Sequence, residues 1–220
     1  MNTEHALIIN QQEFILLGDK AIYWPNQLAL LIADVHFGKA AAYRAMGQPV
    51  PQGTTHYNLQ RIDALLECYP ARQIIFLGDF LHAPKSHAPL TLAALRAWRH
   101  QHNDLQCILI RGNHDLRAGD PPVDLNITVV TEPYLIDDFA LQHIPKLHAT
   151  HHVIAGHIHP TFQLNGSGRQ RLTLPCFYHE PNMTILPSFG DFTGGFKLEK
   201  KLHAKVFVTD GNRVWSVANK

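Results

Sequence analysis

Leu28-Ala29-Leu30-Leu31-Ile32-Ala33 runs without one polar side chain straight into Asp34-Val35-His36. Apolar residues without alternation predict a central strand covered on both faces, because a strand with one wet face shows a period of two. Working outward, Gln73 to Leu77, Cys107 to Ile110 and His152 to Ala155 repeat the pattern. Each is followed by a polar cluster: Gly78-Asp79, Gly112-Asn113-His114-Asp115 and Gly156-His157-Ile158-His159. Between the first two runs, Leu59, Ile62, Leu65, Leu66 and Tyr69 recur at helical spacing after Thr54-Thr55; between the next two, Leu92, Leu95 and Trp98 do so after Pro89. Strand, helix, strand, helix, strand predicts an α/β fold with parallel central pairs. Ala6 to Ile9, Phe14 to Leu17 and Ala21 to Trp24 predict an antiparallel meander at the start. Asp210-Gly211-Asn212, between Lys205 to Thr209 and Arg213 to Val217, predicts a hairpin at the end.

The polar clusters carry the chemistry. In an open α/β sheet the carboxyl ends of the strands share one edge, so clusters distant in sequence are expected to converge there. In an extended segment the side chains at i and i+2 point the same way, so Asp34 with His36, and His157 with His159, can each offer two groups to one place. Glycine before Asp79, Asn113 and His157 allows close backbone approach. A single D-x-H or H-x-H arises often by chance, whereas four clusters of Asp, Asn and His at four strand ends point to a shared metal site. The set exceeds what one ion can accept, which indicates two cations bridged by a carboxylate.

Composition bounds the rest. The 220 residues, 45% of them hydrophobic, suffice for a single domain over 1–220. Such a domain can bury roughly 70% of the surface of its unfolded chain without disulfides. No repeat, charge block or linker divides it. No apolar stretch approaches the roughly 20 residues of a membrane span, and the N-terminus lacks the basic start and long apolar region of a signal peptide. The expectation is a cytoplasmic protein with no membrane partner. Cys68, Cys107 and Cys176 are odd in number and far apart, which suits reduced, buried thiols. Nineteen Lys and Arg against 18 Asp and Glu leave a net charge of +1, so no broad basic surface is expected. A phosphate-polymer partner would need bound cations for much of the attraction. Sixteen histidines almost equal Lys and Arg together.

The ordered set Asp34-x-His36, Gly78-Asp79, Gly112-Asn113-His114-Asp115, His143 and Gly156-His157-x-His159 resembles the signature of the calcineurin-like metallophosphoesterases. Further segments resemble the bacterial ligase-associated DNA damage response endonuclease subfamily. They are Phe37-Gly38-Lys39-Ala40-Ala41, Pro49-Val50-Pro51-x-Gly53-Thr54-Thr55, Leu174-Pro175-Cys176-Phe177 and Leu186-Pro187-Ser188-Phe189-Gly190-x-Phe192-Thr193-Gly194-Gly195. The resemblance implies a four-layer αββα sandwich with a dinuclear site at the carboxyl ends of the central strands. It implies that Asp34, His36 and His159 hold one ion, that Asn113, His143 and His157 hold the other, and that Asp79 bridges them. His114 would protonate the leaving oxygen without touching metal, and Asp115 would orient it. One block departs from the family pattern: Ile144-Pro145 follows His143 where glycine is common, and His148, His151 and His152 lie close by. The place of His143 after the strand-like Phe139 to Gln142 favours it.

Oxygen and nitrogen ligands without thiolate suit Mn²⁺, Fe or Zn²⁺, and the subfamily resemblance favours Mn²⁺. The implied activity is phosphodiester hydrolysis on DNA, in repair beside a DNA ligase and associated proteins. Two alternatives stay open: a phosphatase or phosphodiesterase for a small substrate, and a non-catalytic scaffold, although here every expected ligand remains. Lys39 and Arg44, after the first motif, and Arg111, before Gly112, are candidates for the substrate phosphate, with a solvated charge or a salt bridge as the alternative. His82 is a candidate for the pocket border. His5, His56, His87, His100, His102, His179 and His203 are expected at the surface. Phe177, Tyr178, Phe189, Phe192 and Phe196 are expected in the core, with stacking on unpaired bases as the alternative.

Overall fold

The computed structural model describes residues 4–51, 53–191 and 193–218; Phe192 lies outside them. The opening meander is β1 (His5–Ile9), β2 (Gln12–Leu16) and β3 (Ile22–Trp24), and β3 pairs antiparallel with β4 (Ala29–Ile32). From β4 the pairing turns parallel, through β5 (Gln73–Leu77) and β6 (Gln106–Ile110) to β7 (Thr128–Val130). Registers Leu30↔Ile74 and Ile74↔Cys107 set the three apolar runs side by side.

The helices are α1 (Lys39–Arg44), α2 (Thr54–Cys68), α3 (Pro89–Gln101) and α4 (Asn113–Ala118). In α2, Leu59, Ile62 and Leu65 lie on the buried face; α3 starts on Pro89, whose fixed φ suits a first turn, and buries Leu95 and Trp98. These side chains pack on Leu30, Ile32, Ile74, Phe76 and Leu109, one face of the sheet. Complete burial of such a side chain contributes about 1.5–3 kcal/mol each.

The other face meets a second sheet. Its strands are β8 (Tyr134–Ile136), β9 (Phe139–Leu141), β10 (His152–Ala155), β11 (Pro160–Asn165), β12 (Arg171–Glu180), β13 (Met183–Ile185), β14 (Phe196–Lys197), β15 (Lys205–Thr209) and β16 (Val214–Ser216). The order is β14-β11-β12-β13-β10-β9-β8, with β15 also paired to β12 and β16 to β15. Leu31, Ala33, Ile75, Leu77, Ile108 and Ile110 pack against Phe139, Leu141, Ile154, Phe177 and Phe207 between the sheets. Leu28 to Ala33 does not alternate because Leu30 and Ile32 meet helices while Leu31 and Ala33 meet the second sheet.

The sandwich is the expected one, with three differences of detail. The fourth apolar run, β10, belongs to the second sheet, parallel to both β9 and β13. A strand covered on both faces reads alike in either sheet, so sequence could not assign it. The outer face of the second sheet, with Cys176, Tyr178, Val206 and Val208, is covered by Leu198, Ala204 and their neighbours. The described α-helices all precede residue 119, so this fourth layer is an irregular segment. Cys107 and Cys176 are buried, but Cys68, at the last turn of α2, is exposed. No described helix is long and apolar enough to cross a membrane.

Candidate metal centre

The polar clusters do converge, at the edge where β4, β5, β6 and β10 end, so the site spans both sheets. The extended i, i+2 geometry expected for the ligand pairs is not how they get there. Asp34 (φ 54), His36 (φ 48), Asp79 (φ 53), His157 (φ 74) and His159 (φ 49) all adopt left-handed backbone. Each costs roughly 1–2 kcal/mol for a residue with a Cβ, and strain of this kind clusters at functional sites. Cross-links hold the kinks: His36 N–H donates to the Asp79 carbonyl (2.9 Å), and His157 N–H to Asp34 Oδ2 (2.9 Å). The Ser188 hydroxyl and Gly190 N–H both donate to the Asp34 carbonyl, at 2.9 and 3.1 Å. The segment after Leu186 is thereby a clamp on the first ligand. Arg61 locks it, stacking on Phe189 at 3.9 Å and donating to its carbonyl at 2.8 Å.

Three groups of donor atoms result, Asp34 with His36 and His159, Asp79 with His143 and His157, and, at the open side, His36 with His82 and His114, each within 4.8 Å of one another. Proton bookkeeping shows what they lack. His143 Nδ1 faces the Leu77 carbonyl at 3.0 Å and must donate to it, so that Nε2 of the neutral ring offers a lone pair. That lone pair faces Asn113 Oδ1 (2.8 Å), His157 Nδ1 (3.0 Å) and Asp79 Oδ1 (3.4 Å). Similarly, His159 Nδ1 donates to the Gly194 carbonyl (3.0 Å), turning Nε2 toward Asp34 Oδ1 at 3.4 Å. Both atoms are buried and neither makes a hydrogen bond of good geometry. Buried acceptors aimed at one another are costly unless a cation or a proton lies among them. Burial also pushes the Asp79 carboxyl up, against His143, and pushes His36 down. The donor set therefore fits cations, three donors on one side and, with Asn113, four on the other counting Asp79.

His143 is fully buried within this set, whereas His148 and His151 pair with each other on a surface loop. His152 is buried elsewhere, against Thr184 Oγ1 at 2.9 Å, which also meets His179 Nδ1 at 2.9 Å; His179 is thus not a surface residue. His114 lies at the open side, its Nε2 4.0 Å from Asp79 Oδ2. The expected role of Asp115 is corrected: its carboxylate accepts from Leu81 N–H (3.0 Å) and Gly112 N–H (2.9 Å), tying two loops together. It is the His82 carbonyl that orients His114, accepting from Nδ1 at 2.7 Å, and the two rings stack 4.9 Å apart. His82 does border the site, its Nδ1 3.4 Å from His36 Nδ1, and burial, helped by Lys39 and His114, lowers its pKa to about 4.

The three candidate phosphate contacts separate. Lys39 is buried near the ligands; burial lowers its pKa while Asp34 and Asp79 pull it up. Arg44 instead donates to the Val50 and Pro51 carbonyls (3.3 and 2.8 Å), fixing the loop before α2, and Arg111 is held in a two-pronged pair with Asp120 (2.8 and 2.6 Å). Both guanidiniums are thus engaged within the protein, whereas the Lys39 ammonium lies beside the donor groups. Of the aromatics, Phe177, Tyr178 and Phe189 are core, and Phe196 is 63% exposed. Sequence reading missed Glu132, whose Oε2 accepts from His143 N–H (2.7 Å) and Ile144 N–H (3.0 Å) and holds the ligand segment. A lone loop carboxylate gives no signal.

A family model described as calcineurin-like phosphoesterase matches residues 29–181, which contain every donor of these groups. The chain belongs to that family. It is a phosphoester hydrolase of the metal-dependent kind. No curated protein matches the phosphoesterase chain. Among solved structures, the Pseudomonas putida nuclease MPE is 46% identical, over 98% of this chain and 100% of that one, with a TM-score of 0.86. The Escherichia coli phosphoesterase Yfce is 16% identical over 86% and 98%, with a TM-score of 0.42.

Proposed function

We propose that this phosphoesterase is a DNA endonuclease working with two Mn²⁺ ions, Asp34, His36 and His159 holding one, Asn113, His143 and His157 the other, and Asp79 bridging. What supports the reading is the complete donor set together with 46% identity, nearly end to end, to a solved nuclease. When bound, the cations neutralise the phosphate and acidify a water. The chain's own residues do the rest. Because the His82 carbonyl accepts a hydrogen bond from Nδ1–H, His114 presents Nε2 to the site, where it can carry the proton that the leaving alkoxide needs. Water adds to phosphorus as the ester P–O bond breaks; the imidazolium of His114 gives its Nε2 proton to the departing oxygen, and the proton shed by the attacking water restores it by way of solvent. Lys39 supplies a fixed positive charge toward the same phosphate. Repair beside a DNA ligase, in the cytoplasm, is part of the proposal and rests on the subfamily resemblance.

The test is activity with Mn²⁺ on circular single-stranded DNA beside bis-p-nitrophenyl phosphate and p-nitrophenyl phosphate. Circles have no ends, so their linearisation identifies an endonuclease. Hydrolysis of the nitrophenyl esters with intact circles would overturn the DNA reading in favour of a small substrate.

A further inference from the structure

The DNA reading leaves open how a near-neutral chain holds a polyanion beyond the scissile phosphate. β11 begins directly after His159 and pairs antiparallel with β12, with Thr161↔Pro175, Gln163↔Thr173 and Asn165↔Arg171 in register. Side chains alternate across a strand, and Phe162, Leu164 and Leu174 belong to the outer apolar cluster. The opposite, inner face therefore carries Thr161, Gln163, Asn165, Arg171 and Thr173. β14 adds Lys197, in register with Thr161. Side-chain hydrogen bonds trace this face: Lys197 Nζ donates to Gln163 Oε1 (2.7 Å), and Gln163 Nε2 to Asn165 Oδ1 (2.8 Å). At its near end a cavity of about 170 Å³ is lined by His159, Thr161, Pro175, Thr193 and Lys20, so the face starts beside a residue of the metal centre. From Thr161 to Asn165 it extends roughly 13 Å at the usual rise of a strand.

Charge supports one kind of occupant. Residues 160–175 and 193–198 contain Arg169, Arg171 and Lys197 and no Asp or Glu, in a chain whose net charge is only +1, and at the near end Asp191 lines the cavity together with Lys20. Positive charge is thus gathered where a chain leaving the metal centre would pass. Resting on the DNA reading above, we propose that the inner face of the β11–β12 hairpin is a ledge for the single strand adjoining the scissile phosphate, with Lys197 and Arg171 meeting its next phosphates. Thr161, Gln163 and Thr173 offer hydrogen bonds along the way.

The experiment compares wild type with Lys197→Ala/Arg171→Ala, using a single-stranded oligonucleotide and bis-p-nitrophenyl phosphate, both with Mn²⁺, across a salt series. The ledge variant should hydrolyse the small ester like wild type, which also shows that it is folded. Its KM for the oligonucleotide should rise about tenfold, and the slope of log KM against log salt should flatten by about 1.4, or about 0.7 for each single-strand phosphate that is no longer neutralised. A charge-matched control is Lys200→Ala/Lys201→Ala, whose lysines line a groove of the outer face with Phe162 and Leu164; it should leave KM for the oligonucleotide near wild type. An unchanged KM and slope in the ledge variant, or an equal effect in the control, would overturn the ledge alone. Wild type that hydrolyses the ester but cuts no DNA would overturn the DNA reading and the ledge with it.

Discussion

Substituting Gly78 by alanine separates the geometry of the metal centre from ordinary backbone strain. Gly78 has φ +79, and a Cβ there would lie 2.2 Å from His143 Nδ1 and 2.4 Å from Cγ. The His143 ring is fully buried and its Nδ1 is tied to the Leu77 carbonyl, so it has nowhere to withdraw. Gly53 is the matched control: φ is +89, and a Cβ would meet nothing within 4 Å. Left-handed strain alone should cost about 1–2 kcal/mol in Gly53→Ala. Gly78→Ala should carry the same strain plus about 1–3 kcal/mol of overpacking, or about 2–5 kcal/mol altogether. The displaced ring should also weaken the ion held by Asn113, His143 and His157. Denaturant unfolding gives the stabilities, and metal analysis after dialysis gives the occupancies. If Gly78→Ala lost no more stability than Gly53→Ala and kept both ions, the close approach of residue 78 to the ligand would have no role in building the site.

Three further outcomes are expected. His114→Ala should retain both ions yet slow DNA cleavage by about 10² to 10⁴, with a smaller loss on a nitrophenyl ester whose leaving group needs no proton; metal loss would make His114 a ligand instead. Asp115→Asn should behave differently, lowering stability by about 1–3 kcal/mol through the Leu81 and Gly112 amides it tethers. It should slow both substrates alike, and a leaving-group-dependent loss would restore its orienting role. Acid should destabilise the fold through His179, whose pKa burial, with His152 and Lys205 beside it, lowers to about 4 from 6.5. Between those values the unfolded chain takes up a proton that the folded chain refuses, so stability falls as pH drops through that window and levels off below it. The loss attributable to this residue is about 2 kcal/mol after allowance for partial solvent access, and His179→Gln should show a shallower decline in urea titrations between pH 7 and pH 4.5.

The legibility of this chain followed the physics of each signal. Burial on both faces suppresses alternation, so Leu28 to Ala33, Gln73 to Leu77 and Cys107 to Ile110 announced the parallel strands, and Thr54 and Pro89 marked where α2 and α3 begin. The same absence of alternation hid the sheet to which β10 belongs, because Val153 and Ile154 are fully covered in either sheet. Residue type announced the donors, since Asp, Asn and His gathered at strand ends have few other uses. Direction was not legible. Left-handed backbone at Asp34, His36, Asp79, His157 and His159 turns the side chains, and nothing in their identities encodes that turn. It is enforced from a distance by Ser188, Gly190 and the Asp34 carboxylate. Asp115 failed for a related reason: adjacency in sequence to His114 suggested contact, but both open α4, where the capping geometry sends the carboxylate back to the Gly112 amide. The orienting acceptor for His114 is then a main-chain carbonyl at His82, a group every residue carries. In this site, side chains set which ions and phosphates can be held, while the backbone sets where each side chain points, and only the first of these is written in residue type.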